Sequence, residues 1–219
     1  RGHWTEPRLF QPLDASGDCP AFSPDGQRLF FIAQGPSSGD RAGRRKENIW
    51  VSDRSGDGWA DPTPLPQVIN SLDLHWQISV DRHGSLYFGV WKVDPVTDRT
   101  LEHDIYVSKP DGGGYAPPVK LGREINDPAY RQYSPYVSPG GEYVVFTRTS
   151  KTPPFRTTIQ ISFSNAAGGW SASRDLSEII GMPASNATVT RDGKFLFFLK
   201  AGLEVYWMDA TFIGGMRAN

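Results

Sequence analysis

The sequence predicts an all-β chain folded as a single β-propeller of four blades, each with four antiparallel strands, and three observations carry that prediction. One pattern of strand, turn and apolar strand occurs four times: Cys19-Pro-Ala-Phe-Ser-Pro-Asp-Gly-Gln-Arg-Leu-Phe-Phe31, His75-Trp-Gln-Ile-Ser-Val-Asp-Arg-His-Gly-Ser-Leu-Tyr-Phe88, Ser134-Pro-Tyr-Val-Ser-Pro-Gly-Gly-Glu-Tyr-Val-Val-Phe146 and Asn186-Ala-Thr-Val-Thr-Arg-Asp-Gly-Lys-Phe-Leu-Phe-Phe198. Aligned on Ser23, Ser79, Ser138 and Thr190, the copies lie 56, 59 and 52 residues apart. An aromatic marker at Trp4, Trp59, Tyr115 and Trp170 recurs with the same period, at 55, 56 and 55 residues. The composition agrees, because 12 Phe, 8 Tyr and 7 Trp beside 23 Gly and 18 Pro describe many short strands joined by tight turns. Repeats of this length in a strand-rich chain stack as blades around an axis.

Within each unit the apolar runs and turn signals mark the strands in order. Strand A, nearest the axis, ends at the Ser-Pro-Asp-Gly type of turn. Strand B follows at 29–31, 86–88, 143–146 and 195–198, and strand C at 49–52, 105–108, 159–162 and 205–208. Strand D begins near each aromatic marker, after turns such as Ser55-Gly-Asp-Gly58 and Asp111-Gly-Gly-Gly114, whose glycines supply the positive φ of a hairpin. The domain is expected to be 1–219 as one propeller, with blades at about 17–70, 71–127, 128–182, and 183–219 completed by 1–14. The fourth unit stops after its strand C, so the strand from Trp4 to about Pro12 is expected to pair near Tyr206 and close the ring, removing two exposed edges.

These residues carry a family resemblance. The repeated Ser-Pro-Asp-Gly-x-x-Leu-x-Phe, the strand Asp104-Ile-Tyr-Val-Ser108, the Gly58-Trp59-x-x-Pro62-x-x-Leu65 segment before Ile69-Asn70-Ser71, and Val205-Tyr-Trp-Met-Asp-Ala210 resemble WD40-like propeller repeats of the TolB and PD40 type. The likeness covers nearly the whole chain. It implies the propeller fold and an extracytoplasmic (periplasmic or secreted) setting, but little chemistry, since such repeats serve binding modules, scaffolds and enzyme-attached domains alike. The sequence departs from the pattern at Trp76, at Gly140-Gly141, and at Ala187 and Thr190-Arg191, which makes the ring pseudo-symmetric.

Charge and motifs narrow the function. With 23 basic and 24 acidic residues the net charge is −1, so no global field recruits nucleic acid or an anionic membrane. No apolar run approaches the roughly 20 residues of a spanning helix. The single cysteine, Cys19, allows neither an internal disulfide nor a paired-cysteine metal site. Metalloprotease, nucleophile-elbow, phosphate-loop and dinucleotide fingerprints are absent. A monomer with a small-molecule, glycan or protein ligand is expected, and the axis has room for water or a divalent cation.

In an up-and-down meander the A–B and C–D turns share one face, and the B–C and D–A connections share the other. The B–C connections are the long ones, so the site is expected on their face, at the mouth of the channel. Four places before the aligned Ser or Thr stand Cys19, His75, Ser134 and Asn186; beside them lie Asp18, Asp73, Trp76, Arg131, Gln132 and Tyr133, with Arg44 and Arg156 on neighbouring loops. Different polar groups at one repeated place suit an asymmetric ligand, anionic or saccharide. That makes a ligand-binding or interaction module the leading reading. The alternative is a hydrolase or lyase acting on a carbohydrate or lactone, metal-assisted, with His75 as general base beside Asp73. A protein-interaction scaffold anchored by Trp91, Tyr130 and Phe155 is a third.

Overall fold

The computed structural model describes residues 6, 17–34, 47–72, 75–94, 96–97, 99–200 and 203–217, with the backbone alone for Gln34 and His75. Antiparallel meanders follow one another along the chain as four blades. The first comprises β1 (Gly17–Phe22), β2 (Arg28–Gln34), β3 (Glu47–Ser55), β4 (Gly58–Trp59) and β5 (Thr63–Pro64), followed by α1 (Gln67–Asn70). The second comprises β6 (His75–Val80), β7 (Leu86–Val93), β8 (Thr100–Ser108), the small hairpin β9 (Pro110–Asp111) and β10 (Gly114–Tyr115), and β11 (Val119–Lys120). The third has β12 (Tyr130–Val137), β13 (Tyr143–Ser150), β14 (Thr157–Phe163) and β15 (Arg174–Asp175), then α2 (Ser177–Ile180). The fourth has β16 (Ala184–Val189), β17 (Phe195–Lys200), β18 (Val205–Asp209) and α3 (Phe212–Met216). Apart from Glu6, the expected closing strand, Trp4 to Pro12, lies outside the described residues.

Period-two alternation places successive side chains of one strand in two different cores. In β2, Phe30 and Ile32 turn towards blade two and join Leu86, Phe88 and Val90, whereas Leu29, Phe31 and Ala33 form a separate cluster with Trp50 and Trp59. Blades two and three meet over Tyr87, Ile105, Val144 and Phe146, and blades three and four over Val145, Ile161, Leu196 and Phe198. Phe30, Phe88 and Phe146 are fully buried, and each contributes about 1.5–3 kcal/mol through burial.

The outer connections repeat a polar clamp. Asn70 Oδ1 accepts from Ile49 N (2.9 Å) while its Nδ2 donates to Ile49 O and Leu65 O (3.1 and 2.8 Å). Asn126 makes the same three bonds to Ile105 and Leu121. Each buried Asn thus satisfies the strand-C N–H and adds a second bond to the carbonyl that Leu65 N or Leu121 N already reaches.

The four inner strands, β1, β6, β12 and β16, pack around one axis: β6 lies against β1 and β12, and β12 against β16. The backbone corrects the expected alignment of blade two. Ser23, Ser138 and Thr190 each donate a backbone N–H to the residue that opens strand B (Arg28, Tyr143 and Phe195), and in blade two the residue in this role is Asp81, donating to Ser85 just before β7, rather than Ser79. Asp81 also substitutes chemically for the hydroxyl. Ser23 Oγ accepts from Arg28 N and Thr190 Oγ1 from Phe195 N, while Asp81 Oδ1 accepts from His83 N and Ser85 N. On this alignment the copies are 58, 57 and 52 residues apart.

The corrected alignment superimposes one backbone feature in all four blades. Every inner strand contains a bulge, and the residue within it is non-glycine with left-handed φ: Cys19 (51°), Gln77 (43°), Ser134 (54°) and Asn186 (52°). His75, expected at this place, stands two residues nearer the mouth. Its counterparts are Gly17, Gln132 and Ala184.

Candidate functional site

Before the bulge, the inner strands face the mouth formed by the B–C connections, and the side chains there differ from blade to blade. At the boundary of blades two and three they build an aromatic platform. Trp91 of β7 and His103 of β8 are cross-strand partners, so their rings project from one face of the sheet and stack at 5.6 Å with 14° between planes. His103 then stacks on Tyr133 of β12, across the gap between blades, at 5.1 Å and 15°. Trp76 of β6 meets Trp91 edge-on at 5.9 Å and is 37% exposed. Gly89 permits this approach: a Cβ there would stand 3.1 Å from the Trp76 carbonyl oxygen.

Polar groups hold the rings in place. Trp91 Nε1 donates to Thr100 Oγ1 at 2.9 Å, and the Tyr133 hydroxyl continues through Thr149 Oγ1 (3.1 Å) to Thr157 Oγ1 (2.9 Å). Burial, reinforced by the positive charge of Arg131, pushes the His103 pKa down to about 4, so the imidazole is neutral at physiological pH. A neutral ring between two aromatic faces is suited to stacking rather than to carrying protons.

Several buried polar atoms at this boundary make no hydrogen bond with the described residues: His103 Nε2, Gln132 Oε1 and Arg148 Nε, and Gln77 Oε1 of the blade-two bulge shares this state. Gln132 is completely buried, and only its Nε2 is engaged, donating to Asp127 O at 2.8 Å. Arg148, its cross-strand partner, donates from Nη2 to Ile125 O at 3.0 Å and lies over the rings of Tyr130 and Phe146. An unpaired buried polar atom costs about 1–3 kcal/mol, so these atoms make the boundary beside the platform locally costly.

The remaining expected residues divide. Ser134 and Asn186 come together across blades three and four, Ser134 Oγ donating to Asn186 Oδ1 at 3.1 Å. Asp18 is exposed and accepts from the adjacent Cys19 N at 2.6 Å. Burial pushes the Cys19 thiol up to about 11, against the N–H that Gln77 directs at it, so the thiol is unreactive at neutral pH. Arg131 is exposed at the head of β12. Arg156 faces Asp175 of the outer strand β15 at 4.0 Å rather than an inner strand. Arg44 and Asp73 lie outside the described residues, as does the side chain of His75. Among the described residues no three His, Cys, Asp or Glu side chains stand close enough together to hold a metal ion. Of the interaction anchors, Phe155 is exposed, whereas Trp91 belongs to the platform. His103, Gln77 and Thr149 were missed in sequence. His103 matters through a ring of the neighbouring blade, Gln77 through a bulge and Thr149 through partner strands of its own blade, and none of these leaves a local signal.

No family model and no curated protein matches the sequence. In structure the chain is similar to TolB from Acinetobacter baumannii, with a TM-score of 0.54 and 15% identity over 90% of this chain and 41% of that one. It is similar to a protein of unknown function from Dyadobacter fermentans, with a TM-score of 0.53 and 16% identity over 95% and 65%. The chain therefore spans less than two thirds of the length of either. An α-L-arabinofuranosidase from Lactobacillus brevis gives a TM-score of 0.45 at 16% identity over 78% and 60%. At these identities the likeness establishes the β-propeller fold. No helix among the described residues is long and apolar enough to cross a membrane.

Proposed function

We propose that the chain is a saccharide-binding module, with its ligand at the B–C mouth between blades two and three. The observation that carries this reading is the Trp76–Trp91–His103–Tyr133 platform, with unpaired polar atoms of Gln132 and Arg148 at the same boundary. Sugar rings offer apolar C–H faces to aromatic rings and hydroxyl groups that donate and accept at their edges, which is the combination assembled here. The exposed guanidinium of Arg131 beside His103 favours acidic sugars over neutral ones. An extracytoplasmic setting, where such ligands are met, belongs to the same reading and rests on the TolB-like repeat.

The test is titration with xylo-, arabino- and chito-oligosaccharides and oligogalacturonates, followed by tryptophan fluorescence and calorimetry. Binding that disappears in Trp76→Ala supports the proposal. Silence across the panel, or binding indifferent to Trp76→Ala, refutes it. Shortened oligosaccharides in the same samples would replace binding by hydrolysis.

A further inference from the structure

Blade four leaves bare a sheet face that the other blades cover. In blades one to three the strand-C residues Ile49, Ile105 and Ile159 point into the core shared with the next blade and are 0%, 0% and 1% exposed. Strands B and C pair Leu29 with Ser52, Leu86 with Ser108, Val144 with Ser162 and Leu196 with Met208, which makes Val205 the counterpart in blade four. Val205 is 68% exposed, and Trp207, two places on and on the same face, is 63% exposed. Phe195 meets Trp207 edge-on at 5.3 Å. Among the described residues β18 is also the outermost strand of its sheet, so an apolar face and a strand edge are left open together.

The other three blades show what fills such a place. Four and five residues after the aromatic marker, a short strand pairs with strand C: Thr63 and Pro64 with Val51 and Trp50, Val119 and Lys120 with Val107 and Tyr106, Arg174 and Asp175 with Ile161 and Gln160. Six residues after it, Leu65, Leu121 or Leu176 donates its N–H to the carbonyl of Ile49, Ile105 or Ile159 and is buried in the inter-blade core. Counted from Trp4, these places are Arg8, Leu9 and Phe10. The sixth place lies 10, 11 and 8 residues before His75, Gln132 and Ala184 of the next inner strand, and Phe10 lies 7 before Gly17. Seven residues reach at most about 25 Å, so the connection can be made. We infer that residues 8–10 dock on β18 as the fourth strand of blade four, with Arg8 opposite Trp207, Leu9 opposite Tyr206 and the Phe10 N–H on the Val205 carbonyl. The closing strand expected from sequence thus acquires a register. Phe10 then covers Val205, and the Arg8 guanidinium lies beside the Trp207 ring. Met208 stands where Ser52, Ser108 and Ser162 bond to the residue after the marker, so the attachment rests on strand pairing and on Phe10.

The test uses the whole chain carrying Cys19→Ser, serine being the residue in the matching bulge of blade three. Leu9→Cys combined with Tyr206→Cys should form a disulfide within one chain on mild oxidation, because residues facing each other in a non-hydrogen-bonded antiparallel pair hold their Cβ atoms within disulfide range. Leu9→Cys combined with Met208→Cys, two residues out of register, should stay largely reduced. Independently of any crosslink, Phe10→Ala should lower the melting temperature by about 5 °C or more. Gln11→Ala, at the place of the exposed Pro66 and Gly122, should leave it unchanged. A 9–206 pair that stays reduced, equal oxidation of the two pairs, a disulfide joining two chains, or a melting temperature indifferent to Phe10→Ala would each overturn the inference.

Discussion

One set of four strands builds both mouths of this channel, yet the mouths are unlike each other. On the turn side, the residue before each turn is Phe22, Val80, Val137 or Val189, and three of the four are buried. On the loop side, the corresponding places carry Asp18, Trp76, Tyr133 and Ser185, or Gly17, His75, Gln132 and Ala184. The left-handed bulge separates the two regimes in every blade. Before it, the side chains differ in kind even where they are buried, as at Gln132 and Ala184; at the turn end, three of the four places hold buried valines. Pseudo-symmetry is therefore a property of half a strand.

The largest effect that would sharpen this contrast is expected from Trp91. Its ring touches both Trp76 and His103, so Trp91→Ala should cost about 2–3 kcal/mol in chemical denaturation, less than a fully buried tryptophan because the side chain is half-buried. It should also abolish any saccharide-induced fluorescence change. Phe22→Ala at the turn mouth should cost under about 1 kcal/mol, because that ring is largely exposed already. Equal costs would mean that the loop mouth carries no special packing.

A smaller effect is expected at the bulge. A non-glycine residue in left-handed geometry costs about 1–2 kcal/mol, and β-branching adds to it. Cys19→Val should thus destabilise by about 2 kcal/mol, whereas Cys19→Gly should be near neutral, relief of strain offsetting the lost side chain. If valine were tolerated, the bulge would not be the divide it is taken to be here.

The repeat made the fold legible because each strand and turn is a local pattern, and the glycines at Gly26, Gly84, Gly141 and Gly193 take the positive φ that those turns need. The alignment of blade two is hidden in the sequence because Asp81 performs with a carboxylate what Ser23 performs with a hydroxyl, while Ser79 presents a false match two residues away. The platform was only half legible. Trp76 and Tyr133 sit on inner strands and were singled out, but the stack through His103 joins residues from two blades. The bulges left no trace, since no glycine marks them.

The third effect concerns pH. His103 titrates near 4 in the folded chain and near 6.5 when unfolded, so between those values the unfolded state binds more protons. Stability should fall as pH drops from 6.5 towards 4, and this group should have no influence above 6.5. Below about 4.5 a second group takes over. Burial raises Glu102, but hydrogen bonds from Tyr106, Lys92 and Lys120 outweigh it and hold the pKa at about 2, so its contribution is lost as pH falls from 4.5 to 2. Melting temperatures of His103→Phe should lose the first limb and keep the second. An unchanged first limb would show that the imidazole is not buried in the stack.

The smallest effect isolates the electrostatics of the loop mouth. Burial is the larger cause of the low His103 pKa and the Arg131 charge the smaller, so Arg131→Gln should raise the His103 titration only part of the way from about 4 towards 6.5, as followed by NMR of the imidazole. Because Arg131 is exposed, its field is screened by mobile ions, and 0.5 M NaCl should reproduce much of the shift without the mutation. A full return to 6.5 would mean that the ring is solvated rather than stacked. An acidic sugar held on Arg131 would act in the same sense as salt, neutralising the guanidinium and raising the His103 pKa. By linkage, acidic oligosaccharides should then bind more tightly as pH falls towards 5, while neutral ones should not, a distinction that turn-mouth variants such as Arg191→Gln should leave untouched.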